Sequence, residues 1–429
     1  MSFLDNVAIL IGKVSILVSR FFKLGYGGTW PGEIALTISP DILKHFSSKL
    51  KMGMVLVAGT NGKTTTSLML KSILETAGFR VIHNISGANL LNGLVSAFIN
   101  SASLFGHISG YDIAVFEIDE NTLPLVVNKI TPLIVICLNL FRDQLDRYGE
   151  VDVIADKWHN ALTALPSSST VILNSDDPQI AYLAKNLKAK VIFFGVNDPS
   201  SYRQKLEHAT DSIFCLACFH RLHFSGIYFS HLGIWKCDHC GLERPKPDYH
   251  NWQSPLPGFY NRYNFLAAVA AASQLTIRTE IIKKTLKNFS PAFGRQEQFK
   301  YQGKQISIFL SKNPAGFNES LKTVISLKAA TMLIVLNDNI PDGRDVSWIW
   351  DVDFENLPKQ MNIILSGTRV FDLALRLHYS GRQFITEENL ENAINKSCQY
   401  LQYNQTLFCL PTYSAMLEIR KIITGKKIL

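Results

Sequence analysis

From Met54 onward, apolar residues fall in short unbroken runs. Met54-Val55-Leu56-Val57-Ala58 leads into Gly59, and a helix-like stretch follows over 64–77. Val81-Ile82, Ile113 to Ile118, Leu133 to Leu138, Val171 to Leu173 and Val191 to Phe194 continue the series. Continuous runs separated by amphipathic stretches mark strands buried on both faces, so they predict an α/β fold with a helix-covered parallel sheet. The pattern stops over 198–250, where Cys, His, Tyr and Phe concentrate, and this stretch is predicted to be an insertion with its own small core. It resumes with an Ala-rich helix over 264–274. A second, smaller α/β unit is predicted from about residue 300, with strands at Ile306 to Leu310, Met332 to Leu336 and Asn362 to Leu365. The expected division is a helical segment over 1–50, a central domain over 51–300 with an insertion at about 205–250, and a C-terminal α/β domain over 301–429.

The first 22 residues are largely apolar but interrupted by Asp5, Lys13 and Arg20. That is too short and too charged for a membrane span, and it shows no clear signal-peptide cleavage site. An amphipathic helix that packs on the protein or touches a membrane surface fits it, and a cytoplasmic location follows. The 429 residues are 47% hydrophobic and 18% charged, which excludes wholesale disorder. A net charge of +8 suits an anionic partner, although many soluble enzymes are mildly basic. No block of like charges and no basic–aromatic clusters occur, so nucleic acid is not expected as a partner.

Gly59-Thr60-Asn61-Gly62-Lys63-Thr64-Thr65 lies between a predicted strand and a predicted helix, the setting of a phosphate-binding loop. Glycines let backbone N–H groups turn toward phosphate oxygens, and the helix N-terminus adds positive potential. Lys63 would reach the β/γ-phosphates of ATP, and the Thr64 hydroxyl would ligate Mg²⁺. Glu117-Ile118-Asp119-Glu120 follows the apolar stretch Ile113 to Phe116. Glu117 is the first candidate for a second Mg²⁺ contact or for positioning water; simple loop acids are the alternative. Asn139, Asp143 and Asp146 end the next apolar run, and Asp143 and Asp146 could share one face of a helical turn or simply cap a helix.

Cys215-Leu216-Ala217-Cys218 and Cys237-Asp238-His239-Cys240 are two C-x-x-C pairs. Four thiolates at this spacing close a tetrahedral structural Zn²⁺ site, with two disulfides as the alternative. His220, His223, His231 and His239 are then bystanders. Cys137, Cys398 and Cys409 sit in apolar or helical surroundings and read as buried thiols, leaving no nucleophilic cysteine. Asn337 to Asp351 is a dense Asp/Arg/Trp loop with a Pro341-Asp342-Gly343 turn; alone it fits a salt-bridged corner as well as a site.

The Gly59–Thr65 loop resembles the ATP loop of the Mur ligases. Asp143-Gln144-Leu145-Asp146-Arg147-Tyr148-Gly149 is similar to their metal-edge segment. Gly258 to Asn264 resembles their nucleotide-base segment, which implies that Asn261 and Asn264 face the adenine side. Gly294-Arg295 resembles a segment whose arginine contacts ribose or phosphate. The Cys₄ insertion and the Gly343-Arg344-Asp345 loop narrow the likeness to the MurT family, synthetase subunits of lipid II isoglutaminyl synthase. The resemblance implies ATP-dependent amidation of the D-glutamate α-carboxylate of lipid II through an acyl phosphate. Ammonia would come from a GatD-like glutamine amidotransferase partner in a heterodimer. It implies that Asp345 reaches across to orient the partner's catalytic His, with Asp342 and Asp351 as fallbacks. Lys312-Asn313-Pro314-Ala315-Gly316 would sit near the acceptor carboxylate or a hinge. No lysine can be assigned to the carbamylated metal-bridging role of many Mur ligases. A lipid-linked substrate places the protein at the inner face of the membrane. A stand-alone amino-acid ligase of Mur or folylpolyglutamate type is the alternative, and a zinc-ribbon nucleic-acid-binding NTPase is disfavoured.

Overall fold

In a computed structural model, residues 2–21, 28–84, 87–104, 106–143, 151–203, 206–208, 210–289 and 295–425 are described. Three helices come first: α1 (Phe3–Phe21), α2 (Trp30–Ile38) and α3 (Ile42–Ser47). The central domain then alternates β1 (Gly53–Ala58), α4 (Lys63–Thr76), β2 (Val81–His83), α5 (Leu91–Ser101), β3 (Ile113–Ile118), α6 (Thr122–Val127), β4 (Ile134–Cys137), β5 (Thr170–Asn174) and β6 (Lys190–Phe194). Its six strands are ordered β2-β3-β1-β4-β5-β6, and every pairing is parallel. Each apolar run identified in the sequence becomes one of these strands. β1, β3 and β4 are buried along nearly their full length, because helices cover both faces.

The side chains alternate between two cores. Leu56, Phe116 and Val135 point into one, with Phe98 of α5, Trp158 and the inner side of α1–α3. Val55, Val115 and Ile136 point into the other, with α4 and the Ala-rich helix Tyr260–Gln274. Alanines let that helix lie close against α4 and the sheet. Each fully buried Leu or Ile contributes about 1.5–3 kcal/mol.

The insertion forms a two-stranded antiparallel ribbon, β7 (His223–Phe229) and β8 (Leu232–Lys236). Around it Cys215, Leu222, Trp235 and Cys237 make a small separate core. The C-terminal domain is a second six-stranded sheet of β9 (Arg295–Tyr301), β10 (Lys304–Phe309), β11 (Thr331–Val335), β12 (Asn362–Ser366), β13 (Ile385–Thr386) and β14 (Thr406–Pro411). Its order is β13-β12-β11-β14-β10-β9, with only the edge strand β9 antiparallel. The run around Cys409, read in the sequence only as apolar surroundings, is the interior strand β14.

Candidate functional site: a phosphate loop between two domains

Parallel strands bring their C-terminal ends to one edge, and the site is built there. The loop after β1 turns sharply at two glycines. Gly59 has φ 145°, and a Cβ on it would lie 2.8 Å from Leu138 Cβ. Gly62 has φ 93°, and a Cβ there would lie 2.0 Å from Asn264 Oδ1. Both conformation and space therefore require glycine. The end of β4 clamps the loop: Asn61 N–H donates to Asn139 Oδ1 (2.9 Å), and Asn139 Nδ2 donates to the Asn61 carbonyl (3.0 Å). Thr60 N–H donates to the Asn139 carbonyl (3.0 Å). Lys63, Thr64 and Thr65 open α4, all buried.

Lys63 Nζ donates to the Gly59 carbonyl (2.5 Å) and pairs with Glu120 Oε2 at 3.1 Å. Glu120 is fully enclosed, which by itself raises a carboxyl pKa, but the ammonium groups of Lys63 and Lys312 outweigh this and hold it below the ordinary value. Lys312 is contributed by the C-terminal domain, where its ammonium donates to Asp143 Oδ2. Burial pushes the Asp143 carboxyl upward despite Lys312, with Glu120 adding repulsion. Four ionisable groups from two domains thus cluster at the Gly59–Thr65 loop, three of them buried and Lys312 half-buried. The sequence singled out Glu117 from its four-residue run; Glu120, three residues on, is the partner of Lys63.

Thr64 Oγ1 donates to Glu117 Oε2 at 2.5 Å, and Gly87 N–H donates to Glu117 Oε1 at 2.9 Å. Among the described residues, the buried Asp143 Oδ1 finds no donor. Hard oxygen atoms at Thr64, Glu117 and Asp143 fit what Mg²⁺ requires. Asp146 lies outside the described residues.

A cleft of about 730 Å³ opens beside the loop, lined by Asn61, Thr65, Asn261, Asn264 and Tyr260 on one side and by Phe309 and Gly316 of the C-terminal domain on the other. Asn264 Nδ2 donates to Asn261 Oδ1 (3.2 Å), and Asn261 Nδ2 to the Pro257 carbonyl (2.6 Å). Arg295 begins β9, but its side chain lies outside the described residues. Asn61 and Asn313 exchange side-chain hydrogen bonds of 3.3 and 3.0 Å, tying the loop to the C-terminal domain.

A second cleft, of about 510 Å³, runs from Asp143 and Lys312 past Asn313 to Asp345, Ser347 and Trp348. Asp345 is exposed; its carboxylate accepts from Ser347 N–H (2.8 Å) and Oγ (2.9 Å). Asp342 instead turns inward to Ser414 N–H at 2.8 Å, and Asp351 pairs with Arg142 at 3.2 Å. Of the three acids, Asp345 alone is exposed and engaged only with its own turn.

His83, at the end of β2, contacts Ser67 Oγ at 3.0 Å. Burial holds its imidazole down to about 4, against the pull of Glu117. The unfolded chain takes up this proton near pH 6.5, the folded chain only near 4. Stability is therefore intact above about pH 6.5 and declines as pH falls through that window. In denaturant titrations at pH 7 and pH 5, His83→Gln should lose less stability than the parent, by on the order of 1–2 kcal/mol.

The four Cys of the insertion are free and place their Sγ atoms within 4.8 Å of one another. Cys215–Cys240 and Cys218–Cys237 stand at 3.6 and 3.4 Å, well beyond the roughly 2.05 Å of a disulfide. A ZnS₄ tetrahedron with about 2.3 Å bonds has edges of about 3.8 Å, which fits. Each pair is closed by a left-handed residue whose N–H bonds the first Cys carbonyl: Phe219 to Cys215 (2.7 Å) and Gly241 to Cys237 (2.9 Å). The rings of His220 and His239 stack at 3.6 Å beside the cluster. Cys218→Ser should take zinc content from a full equivalent to a small fraction and red-shift the fluorescence of buried Trp235, whose indole N–H holds the Ser175 carbonyl (3.0 Å). Cys137, Cys398 and Cys409 are buried, with pKa values raised by desolvation.

Comparison with known proteins extends this geometry. Residues 57–272 match the Mur ligase middle domain and residues 310–416 the MurT ligase C-terminal family. A curated relative, lipid II isoglutaminyl synthase (glutamine-hydrolyzing) subunit MurT of Streptococcus pneumoniae, is 32% identical across 100% of this chain and 99% of its own. The protein of the same name from Staphylococcus aureus is 32% identical over 95% of each chain. Among solved structures, a pseudomurein peptide ligase type C from Methanothermus fervidus superposes with TM-score 0.67 at 22% identity, over 90% of this chain and 80% of that one. The MurF ligase of Thermotoga maritima in complex with ADP gives 0.63 at 12%, over 91% and 84%. These two likenesses establish a shared fold.

Proposed function

Since this chain belongs to the MurT family of Mur ligase-like proteins, we propose that it activates the D-glutamate α-carboxylate of lipid II with ATP and amidates it with ammonia from a glutaminase subunit. It is an enzyme subunit of the ATP-dependent ligase type. The observation that carries the reading is the buried Lys63 at the mouth of the Gly59–Thr65 loop, beside a cleft shared with the C-terminal domain.

A carboxylate is a poor acyl donor because oxide would have to leave. Transfer of the γ-phosphoryl group gives an acyl phosphate, whose phosphate leaves readily when ammonia attacks the carbonyl carbon. Lys63 and the N–H groups at the start of α4 bind the transferring phosphoryl oxygens and offset their charge. Thr64, Glu117 and Asp143 would hold Mg²⁺, which neutralises phosphate charge when bound. Asn261 and Asn264 support the base side of the nucleotide. Lys312 contributes positive charge from the opposite domain and helps exclude water, which would otherwise hydrolyse the intermediate. The four cysteines would hold Zn²⁺ structurally, because four thiolates leave no position for a reacting water.

Asp345 is the residue assigned to the partner. It is set in a turn beside Trp350, Leu375 and Arg369. Phe371, Leu375 and Tyr379 of the helix Val370–Tyr379 are exposed close by, an apolar surface suited to a docking subunit. The cleft from Asp345 to Asp143 offers a path for ammonia between the two chemistries.

The test is reconstitution with the glutaminase subunit, following amidation of lipid II by mass spectrometry with glutamine or ammonium chloride as nitrogen source. Amidation dependent on ATP from both sources is expected. Ligation of a free amino acid without the partner would instead favour the stand-alone ligase.

A further inference from the structure

The N-terminal helix has an unusual outer face. Asp5, Ala8, Ile9, Gly12 and Ile16 of α1 are buried against α2, α3 and α5. The opposite side should be polar on a helix that merely packs on a domain. Instead, among the described residues, its exposed positions are Phe3, Leu4, Leu10, Ile11, Val14, Leu17, Val18 and Phe21, with Asn6 as the polar interruption. Phe3 and Phe21, at the two ends, are 81% and 82% exposed.

We propose that this face of α1 lies in the surface of an anionic phospholipid bilayer. Three observations select that occupant. No described helix is long and apolar enough to span a membrane, so a helix with this face would lie flat. Its footprint, about 28 Å by 10 Å, is about 280 Å², far short of the roughly 800 Å² per partner that a stable protein–protein contact needs; lipid sets no such threshold. The first 29 residues carry Lys13, Arg20 and Lys23 against one acid, Asp5, which is buried and bonded to Ser39 Oγ at 2.7 Å. A net positive sequence with an apolar helix face is the composition of a segment held at anionic headgroups.

The placement also serves the site, and here it rests on the proposed function. Gly28, just beyond α1, faces Ala88 at 3.8 Å from its would-be Cβ. Ala88 O accepts from Asn84 Nδ2, which also holds the Glu117 carbonyl (2.9 Å). Trp30, 74% exposed, starts α2 two residues after Gly28. The start of α2, which packs on α1, thus adjoins the edge where the site lies, and docking α1 on the bilayer would bring that edge toward a substrate fixed in the membrane by its own lipid.

The experiment uses the full chain with its partner subunit and sucrose-loaded vesicles of phosphatidylcholine and phosphatidylglycerol. The parent should co-sediment, and Leu10→Gln/Val14→Gln/Leu17→Gln should lose vesicle affinity by roughly tenfold or more. The three side chains are half or more exposed, so an unchanged melting temperature in the variant separates loss of docking from loss of fold. Amidation of detergent-dispersed substrate should stay at the parent rate, while amidation of vesicle-embedded substrate falls. A parent that leaves the vesicles in the supernatant, or a variant that sediments with them equally well, overturns the proposal. So does a concentration-dependent dimer abolished by the triple variant, which would make a second copy the occupant. Absence of amidation in every preparation would count against the proposed function alone, since sedimentation reads docking independently.

Discussion

Asp345→Asn should cut glutamine-dependent amidation by about 10³–10⁴-fold while amidation driven by ammonium chloride stays within about twofold of the parent. An asparagine keeps the shape of the turn, and its Oδ1 can still accept from the Ser347 N–H now held at 2.8 Å. What it loses is the negative charge that fixes an imidazole tautomer and stabilises the imidazolium formed as a cysteine thiol is deprotonated. On the proposed reading that pair belongs to the glutaminase subunit, since every cysteine of this chain is either clustered or buried. Equal losses with both nitrogen sources would place Asp345 in the synthetase chemistry instead. Unchanged glutamine hydrolysis would remove it from the mechanism.

Lys63→Ala should have the complementary signature: amidation falls about 10²–10³-fold with either nitrogen source, and glutamine hydrolysis by the partner persists. On the proposed reading the substitution deletes the cation nearest the transferring phosphoryl group, but it also strands Glu120 in a buried pocket, which costs about 3–5 kcal/mol when one partner of such a pair is removed. Lys63→Met/Glu120→Gln separates the two effects. It restores much of the thermal stability, because no buried charge is left without its nearest partner, and it leaves activity as low as in the single variant. Recovery of activity together with stability would show that Lys63 only supports the fold. Stopped-flow binding of a fluorescent ATP analogue reports the nucleotide step directly.

Much of this architecture could be read before any coordinates. β1 and β4 are unbroken apolar runs and β3 is interrupted only by Glu117, because both faces of the sheet are covered, and that signal survives without tertiary information. The Gly59–Thr65 loop was legible because its glycines answer steric needs that no other residue meets. The cysteines were legible because sulfur at that spacing has few other uses. Other features depend on contacts distant in sequence. Glu117 and Glu120 are equivalent acids on paper; only the packing of α4 against β3 directs one to Thr64 and the other to Lys63. Lys312 meets Asp143 across 169 positions, and no local pattern encodes that. In α1, apolar residues fill both sides, so periodicity announced a helix without saying which side was covered.

The paired amides of Asn61 and Asn313 carry a practical lesson. The nucleotide cradle borrows part of its framework from a module joined to it 252 positions downstream. A fragment trimmed to the first sheet would keep every glycine and the lysine yet present a cradle with one wall missing. Inhibitor screens run on such a fragment would select compounds for a shape the intact enzyme never shows.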